Sequence, residues 1–460
     1  MVMISKLLRL GRRKLHTIVS RDTIRPSSPT PSHSKTYNLS LLDQIAVNSY
    51  VPIVAFYPSS NVCRSSDDKT LELKNSLSKI LTHYYPFAGR MKKNRPTVVD
   101  CNDEGVEFVE ARNTNSLSDF LQQSEHEDLD QLFPDDCVWF KQNLKGSIND
   151  ANNSSVCPLS IQVNHFACGG VAVATSLRHK IGDGSSALNF IKHWAAVTSH
   201  SRAGNHQIDA TSPIINPHFI SYPTRTFKLP DRSPYIPPSD VVSKSFVFPN
   251  TNIKDLQAKV VTMTMGSRQP IVNPTRADVV SWLLHKCVVA AATKRISGNF
   301  KESCVISPLN LRNKLEEPLP ETSIGNIFYL ITFPISNNHG DLMPDDFISQ
   351  LRLGIRKFQN IRNLETALRT VEEMISETFI LGTAESMDTS YVYSSIRGFP
   401  MYDIDFGWGK PVKVTVGGAL KNLSILMDTP DVNGIEALVS LDKQDMKILL
   451  NDPELLAFCL

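Results

Sequence analysis

The chain has 460 residues, 41% of them hydrophobic, with 48 Lys and Arg against 46 Asp and Glu. That length allows a large core and two or three domains, and the near-neutral balance excludes the strongly basic character of a nucleic-acid binder. No run reaches the ~18 apolar residues of a membrane span, and none of the eight cysteines forms a Cys-x-x-Cys pair or joins a His cluster, so no zinc spacing exists and free thiols in a reducing compartment are expected.

Residues 1–21 carry Lys6, Arg9, Arg12, Arg13, Lys14 and Arg21 and no acid. They read as a basic N-terminal extension, with an organellar presequence as the alternative; a secretory signal would need an apolar stretch that is missing. LKNSLSKILTHYY, 73–85, then places Leu77, Ile80, Leu81 and Tyr84 on one helical face, closed by Pro86. SEHEDLDQLF holds a His126-to-Asp130 spacing on an acidic, helix-like stretch that reads as solvated surface. LSIQVNHF, 159–166, alternates as a strand, Cys168-Gly169-Gly170 reads as a turn, and VAVATSLRHK, 171–180, as the returning strand.

The second His-to-Asp spacing lies in SLRHKIGDGSSALNF, 176–190. His179 closes the apolar strand. Gly182 and Gly184 bracket Asp183 and permit a sharp turn. Ala187, Phe190, Ile191 and Trp194 then share a helical face, with Gly184, Ser185 or Ser186 as its cap. A neutral imidazole on so rigid a corner suits a general base that takes a proton from an alcohol, a contribution of typically ~10²–10⁴ in rate. The residues alone equally allow a structural His beside a helix-capping Asp. Asp183 either orients His179 or turns inward to a buried Arg. The tight turn favours bracing, and Asp183→Asn is then expected to harm stability more than chemistry.

Seven prolines between 201 and 240 mark an irregular crossover that divides 22–200 from 241–460. In the second half, TRADVVSWLLHKCVVAAATKR, 275–295, reads as a buried helix. VKVTV (412–416), NLSILMD (422–428) and ALVSL (437–441) read as strands, and Asp442 as the cap of a closing helix. No G-x-S-x-G, G-x-G-x-x-G or Walker A pattern is present, and Asp405-Phe406-Gly407 lacks the other kinase motifs. A His base without a covalent nucleophile points to direct transfer from an activated donor to an alcohol or amine.

YDIDFGWGKP, 402–411, taken with HKIGDG, resembles the BAHD acyltransferases, the plant acyl-CoA-dependent family. RPSSPTP (25–31), NLSLLDQ (38–44), YYPFAGR (84–90), VDCNDEGVEFVEA (99–111) and NLR (310–312) agree, so the resemblance covers about residues 22–460. It implies an α/β fold of two similar chloramphenicol-acetyltransferase-like mixed-sheet domains, joined by a long crossover loop matching 201–240, with an active-site channel between them. It implies an N-terminal domain over 22–200 with the HxxxD motif and a C-terminal domain over 241–460 with DFGWG. By the same resemblance His179 is the general base, and Asp183 pairs with an Arg for which Arg312 is the candidate. Asp405 is mainly structural, with a direct proton role less favoured, and Phe406, Gly407, Trp408 and Gly409 shape the CoA side. PSSPTP, SLSKILTHYYPFAGR and Ser323-Ile324-Gly325-Asn326 are similar to the alkaloid-type branch that contains vinorine synthase and deacetylvindoline acetyltransferase. The malonyl-transferring branch has Tyr-Phe-Gly-Asn at that last place. Acetyl-CoA as co-substrate, a polycyclic alkaloid or terpenoid alcohol as acceptor, no bound cofactor or metal, no nucleic-acid partner, a monomer and a cytoplasmic location are the expectations. Other acyl donors (malonyl, aromatic) and a non-catalytic CoA-binding relative are the alternatives. Peptide-synthetase condensation domains share the superfamily, but Arg178 stands where their motif has its first His.

Overall fold

The computed structural model describes residues 16–59, 65–92, 94–134, 137–139, 155–202, 217–220, 240–295, 302–336, 342–359, 361–371 and 389–460. Most of the proline-rich crossover and residues 1–15 lie outside that set. Two compact units result. The first comprises 1–239 with 322–326 and 399–418, and the second 240–321, 327–398 and 419–460. The division therefore departs from a split at the crossover: two short segments from the second half, one of them carrying DFGWG, pack with the first.

The first unit is organised by a six-stranded mixed sheet in the order His16–Ile24, Val106–Asn113, Leu159–Phe166, Val171–Arg178, Tyr50–Tyr57, Lys413–Val416. Only the pairing of Val106–Asn113 with Leu159–Phe166 is parallel. His16–Ile24 corrects the expected boundary at 21. Part of the basic head is an edge strand, whose Arg21 pairs with Glu107 at 2.6 Å. The VKVTV strand was foreseen, but its partner is Tyr50–Tyr57, more than 350 residues earlier. Tyr50–Tyr57, Leu159–Phe166 and Val171–Arg178 are buried on both faces; Tyr50–Tyr57 reads as a near-continuous apolar run, whereas Leu159–Phe166 alternates and buries Ser160, Gln162 and Asn164.

The helix Ser66–His83 covers this sheet and starts seven residues before the apolar face seen at 73–85, because the Ser65 side chain caps it by accepting from Asp68 N–H. Leu77, Ile80, Leu81 and Tyr84 are all fully buried, as their spacing predicts. The helix Gly184–Arg202 lies beside it. Its Trp194 indole donates to Ser76 Oγ at 3.0 Å, and Phe190 packs edge-on against Tyr84.

The second unit repeats the plan, with a six-stranded mixed sheet in the order Val241–Phe248, Ile435–Asp442, Leu423–Asp428, Ser390–Ser395, Glu302–Asn310, Phe328–Ser336. The helix Arg276–Arg295 is buried almost throughout, as its hydrophobic length predicts. Asp442 does precede the closing helix Lys443–Leu449, but its side chain makes no cap bond; it forms an ion pair with Lys421 at 2.9 Å instead. Among the described residues, no helix is long and apolar enough to cross a membrane.

Candidate active site

His179 and the turn it stands on belong to the first unit. The strand Val171–Arg178 ends one residue before it, two residues short of the expected end, and His179–Ile181 turns as a single 3-10 turn. The His179 N–H donates to Ser49 O at 2.9 Å, which ties the turn to the start of the neighbouring strand. Arg178 Nη2 donates to Asn48 Oδ1 at 2.7 Å, and its guanidinium lies 4.9 Å from the Tyr50 ring centroid.

Asp183 caps the corner helix. Its Oδ1 accepts from Ser186 N–H at 2.9 Å and from Ser186 Oγ at 2.9 Å. The cap is thus Asp183 rather than Gly184, Ser185 or Ser186, and the reason is reach, since a carboxylate one residue before the helix meets the third N–H. Gly182 also has a different role from the one expected. Its backbone is extended (φ 178°), so left-handed freedom is not what it supplies. A Cβ there would stand 2.7 Å from Ser186 Cβ, so glycine is needed for close approach of the helix start. Arg312, the implied partner of Asp183, belongs to the second unit, where it is buried and its Nη1 donates to Asn310 Oδ1 at 3.2 Å.

The residues that sequence reasoning missed are Asn326 and Asp43. Asn326 Oδ1 lies 2.9 Å from His179 Nδ1, while Asn326 Nδ2 donates to His179 O at 2.6 Å and to Asp43 Oδ1 at 2.8 Å. A carbonyl and a carboxylate can only accept, so the amide NH₂ must face them and Oδ1 must face the imidazole. An amide oxygen needs a proton from its partner. Nδ1 therefore carries the hydrogen, and the lone pair of the neutral ring sits on Nε2. Burial pushes the His179 pKa below the ordinary imidazole value; hydrogen bonding to its own backbone, the Asp183 charge and the Asn326 contact oppose that in part. The ring is thus a neutral base of fixed tautomer at neutral pH. Both missed residues stand in segments noted only as sequence landmarks, NLSLLDQ and Ser323-Ile324-Gly325-Asn326, and nothing in their spacing tells that the fold brings them to His179.

Gly325 threads that second segment against the corner. Its φ is 137°, its carbonyl accepts from Ser186 Oγ at 3.0 Å, and its N–H donates to the same hydroxyl at 3.1 Å. Ser323–Ile324 is held by a short parallel pairing with His218–Phe219.

The DFGWG motif folds on itself. Asp405 Oδ1 accepts from Gly407 N–H at 2.7 Å and Gly409 N–H at 2.9 Å, and both glycines have positive φ, at 87° and 102°. Phe406 is fully buried between Tyr57 and Trp194, with ring centroids 5.7 and 5.0 Å away. Trp408 stacks on Phe406 at 5.5 Å, with Lys69 Nζ 5.5 Å from its ring. Trp194 is ten residues past Gly184 on the corner helix, roughly 15 Å along its axis at 1.5 Å per residue. The motif therefore packs about three turns from the His179 corner, and its polar contacts are those of a braced loop.

The His126–Asp130 spacing is not the solvated face expected. His126 Nε2 donates to Gly418 O at 3.0 Å, and buried Asp130 accepts from Gly418 N–H at 2.8 Å, so together they clamp the chain just past Lys413–Val416. Among the described residues, no group of three or more His, Cys, Asp or Glu side chains is placed to hold a metal ion.

Comparison with known proteins gives a consistent picture. The sequence model of the Transferase family matches residues 15–456. Akuammiline synthase 1 of Alstonia scholaris is 37% identical, over 96% of this chain and 97% of the relative. An epi-neemfruitin B 7-O-acetyltransferase of Melia azedarach is 34% identical, over 96% and 97%. A 17,18-epoxy-17-hydroxycur-19-ene N-malonyltransferase of Strychnos nux-vomica is 33% identical, over 96% and 90%. Among solved structures, vinorine synthase superposes with a TM-score of 0.77 at 31% identity, covering 96% of this chain and 98% of that one.

Proposed function

We propose that this chain, which belongs to the BAHD family of acyltransferases, transfers acetyl from acetyl-CoA to a hydroxyl of a polycyclic plant metabolite, an alkaloid or an oxygenated terpenoid. The observation that carries the reading is the Asn326 contact at His179 Nδ1, which leaves the basic lone pair on Nε2. In the mechanism, Nε2 removes the proton of the acceptor hydroxyl as its oxygen attacks the thioester carbonyl. The tetrahedral intermediate then collapses, the C–S bond breaks, and the imidazolium returns the proton to the departing thiolate. The products are the ester and CoA-SH, and the enzyme is regenerated without an acyl-enzyme.

Asp183 serves as cap and brace for the base. Asp405 has a mainly structural role, bracing the DFGWG loop by accepting two of its N–H groups, with Phe406, Gly407, Trp408 and Gly409 shaping the CoA side, and Arg312 is the candidate structural partner of Asp183. Acetyl is favoured as donor by the 7-O-acetyltransferase relative and by Ser323-Ile324 in place of Tyr-Phe. The N-malonyltransferase relative makes malonyl-CoA the competitor to test. The names of the relatives support the acceptor class. The enzyme is proposed to work as a cytosolic monomer, and a reporter fused to residues 1–25 that enters an organelle would overturn the location.

The test uses isotope-labelled acetyl-CoA, malonyl-CoA and an aromatic acyl-CoA with metabolite extract of the source tissue, beside a His179→Ala control. Label from acetyl-CoA in a polycyclic ester, reduced ~10²–10⁴-fold in the control, is expected. Label from another donor alone would overturn acetyl, and a control as active as the native enzyme would overturn His179 as base.

A further inference from the structure

We propose that Asp43 is a positioning residue for His179, acting through Asn326 to hold the imidazole in its Nδ1–H form. The inference rests on His179 being the base. Asp43 lies in the first turn of the helix Leu41–Ile45 and is fully buried. Its Oδ2 accepts from Ser40 N–H at 2.9 Å and from Ser40 Oγ at 2.8 Å, the reciprocal bond of a capping box. A purely structural cap would end there. Instead, Oδ1 accepts both the backbone N–H of Asn326 at 2.7 Å and its side-chain amide at 2.8 Å.

Three of these four donors are N–H groups that can only donate, and the Ser40 hydroxyl already accepts the N–H of Asp43 at 3.2 Å. The surroundings are thus built for a carboxylate, and a neutral acid here would leave its proton facing donors. Burying such a group is costly unless its bonds are all made. Burial alone pushes the Asp43 pKa up, against the pull of these bonds.

The chemical consequence is at the other end of Asn326. With its NH₂ committed to Asp43 and to the His179 carbonyl, the amide cannot flip. A flipped amide would present hydrogens to Nδ1, draw the lone pair there, and place the ring hydrogen on Nε2, where the acceptor's proton has to go. Asp43 forbids that state. The link is long in sequence, 283 residues from Asp43 to Asn326 and 147 from Asn326 to His179.

The experiment is a two-bond ¹H–¹⁵N correlation spectrum of [¹⁵N]histidine-labelled enzyme, with the His179 signals assigned by their loss in His179→Gln, and needs neither donor nor acceptor. The native enzyme is expected to show His179 protonated on Nδ1. Protonation on Nε2 would overturn the proposal even if no variant folds. Asp43→Asn is expected to introduce the Nε2–H form and to slow label transfer from the active acyl-CoA by about tenfold or more, with KM for that donor unchanged. Ser40→Ala, which removes the cap bond but not the Asn326 bonds, is expected to lower the melting temperature with the tautomer unchanged. An Asp43→Asn enzyme with native tautomer and native rate would overturn the proposal and leave the base intact. An inactive role for His179 in the control above would instead remove the base while the tautomer measurement stood.

Discussion

His179 shows how a single buried ring is tuned by what lies on one side of it. One ring nitrogen is spent on Asn326, which leaves the lone pair on the other, the proposed base, and burial favours the neutral ring where a free imidazole would be half protonated. The sign of that shift sets a prediction. A lowered folded-state value means the active, neutral form persists below the ordinary imidazole pKa near 6.5. The acid limb of kcat/KM against pH is therefore expected below 6.5, measured at fixed ionic strength, and a limb above it would contradict the environment described. His179 was singled out in the sequence by the apolar strand, glycines and amphipathic helix that frame it, but the residues alone equally allowed a structural His, and the resemblance is what implied a base. Asn326 was not, because its role depends on a partner 147 residues away that no local pattern records.

At the scale of elements, the order strand, turn, helix around 171–202 was legible from its strong hydrophobic periods, but the strand end lay two residues early and the cap was Asp183 rather than the residues after it. What failed were pairings and near neighbours. Lys413–Val416 was foreseen as a strand but not as the edge partner of Tyr50–Tyr57, and the glycine before Asp183 was credited with a turn conformation when its need is space. The cap also sharpens the test of Asp183. Asparagine can accept the Ser186 N–H as aspartate does, so alanine is the more informative change. Asp183→Ala is expected to cost about 0.5–2 kcal/mol of stability, read as a lower urea midpoint at constant slope. A variant of native stability that is nonetheless inactive would show that Asp183 acts on chemistry and not on the corner.

For the molecule as a whole, the two repeated sheets were implied by the resemblance, and the exchange of segments 322–326 and 399–418 into the first unit was not. A further whole-molecule property comes from buried imidazoles. His165 and His193 are pushed down to about 4 and His285 to about 3, each by burial. Unfolding releases them to bind protons near 6.5, so their contribution is present above that value and is lost as pH falls through it. Burial acts in the opposite sense at the carboxylates of Asp43 and Glu110, but they are fewer. The urea midpoint is expected to fall steadily from pH 7 to pH 5, and a flat profile would contradict it. The pairing of Lys413–Val416 with Tyr50–Tyr57 also bears on how the protein is born. At about 5–20 residues per second on the ribosome, roughly 20–70 s pass between emergence of the two strands. Through that interval an eight-residue, wholly apolar-lined edge lacks its native neighbour, the kind of surface that recruits other chains. Chaperones that shield that edge until translation is nearly complete are therefore expected to raise the soluble yield in a foreign host, and a yield unchanged by their co-expression would contradict that.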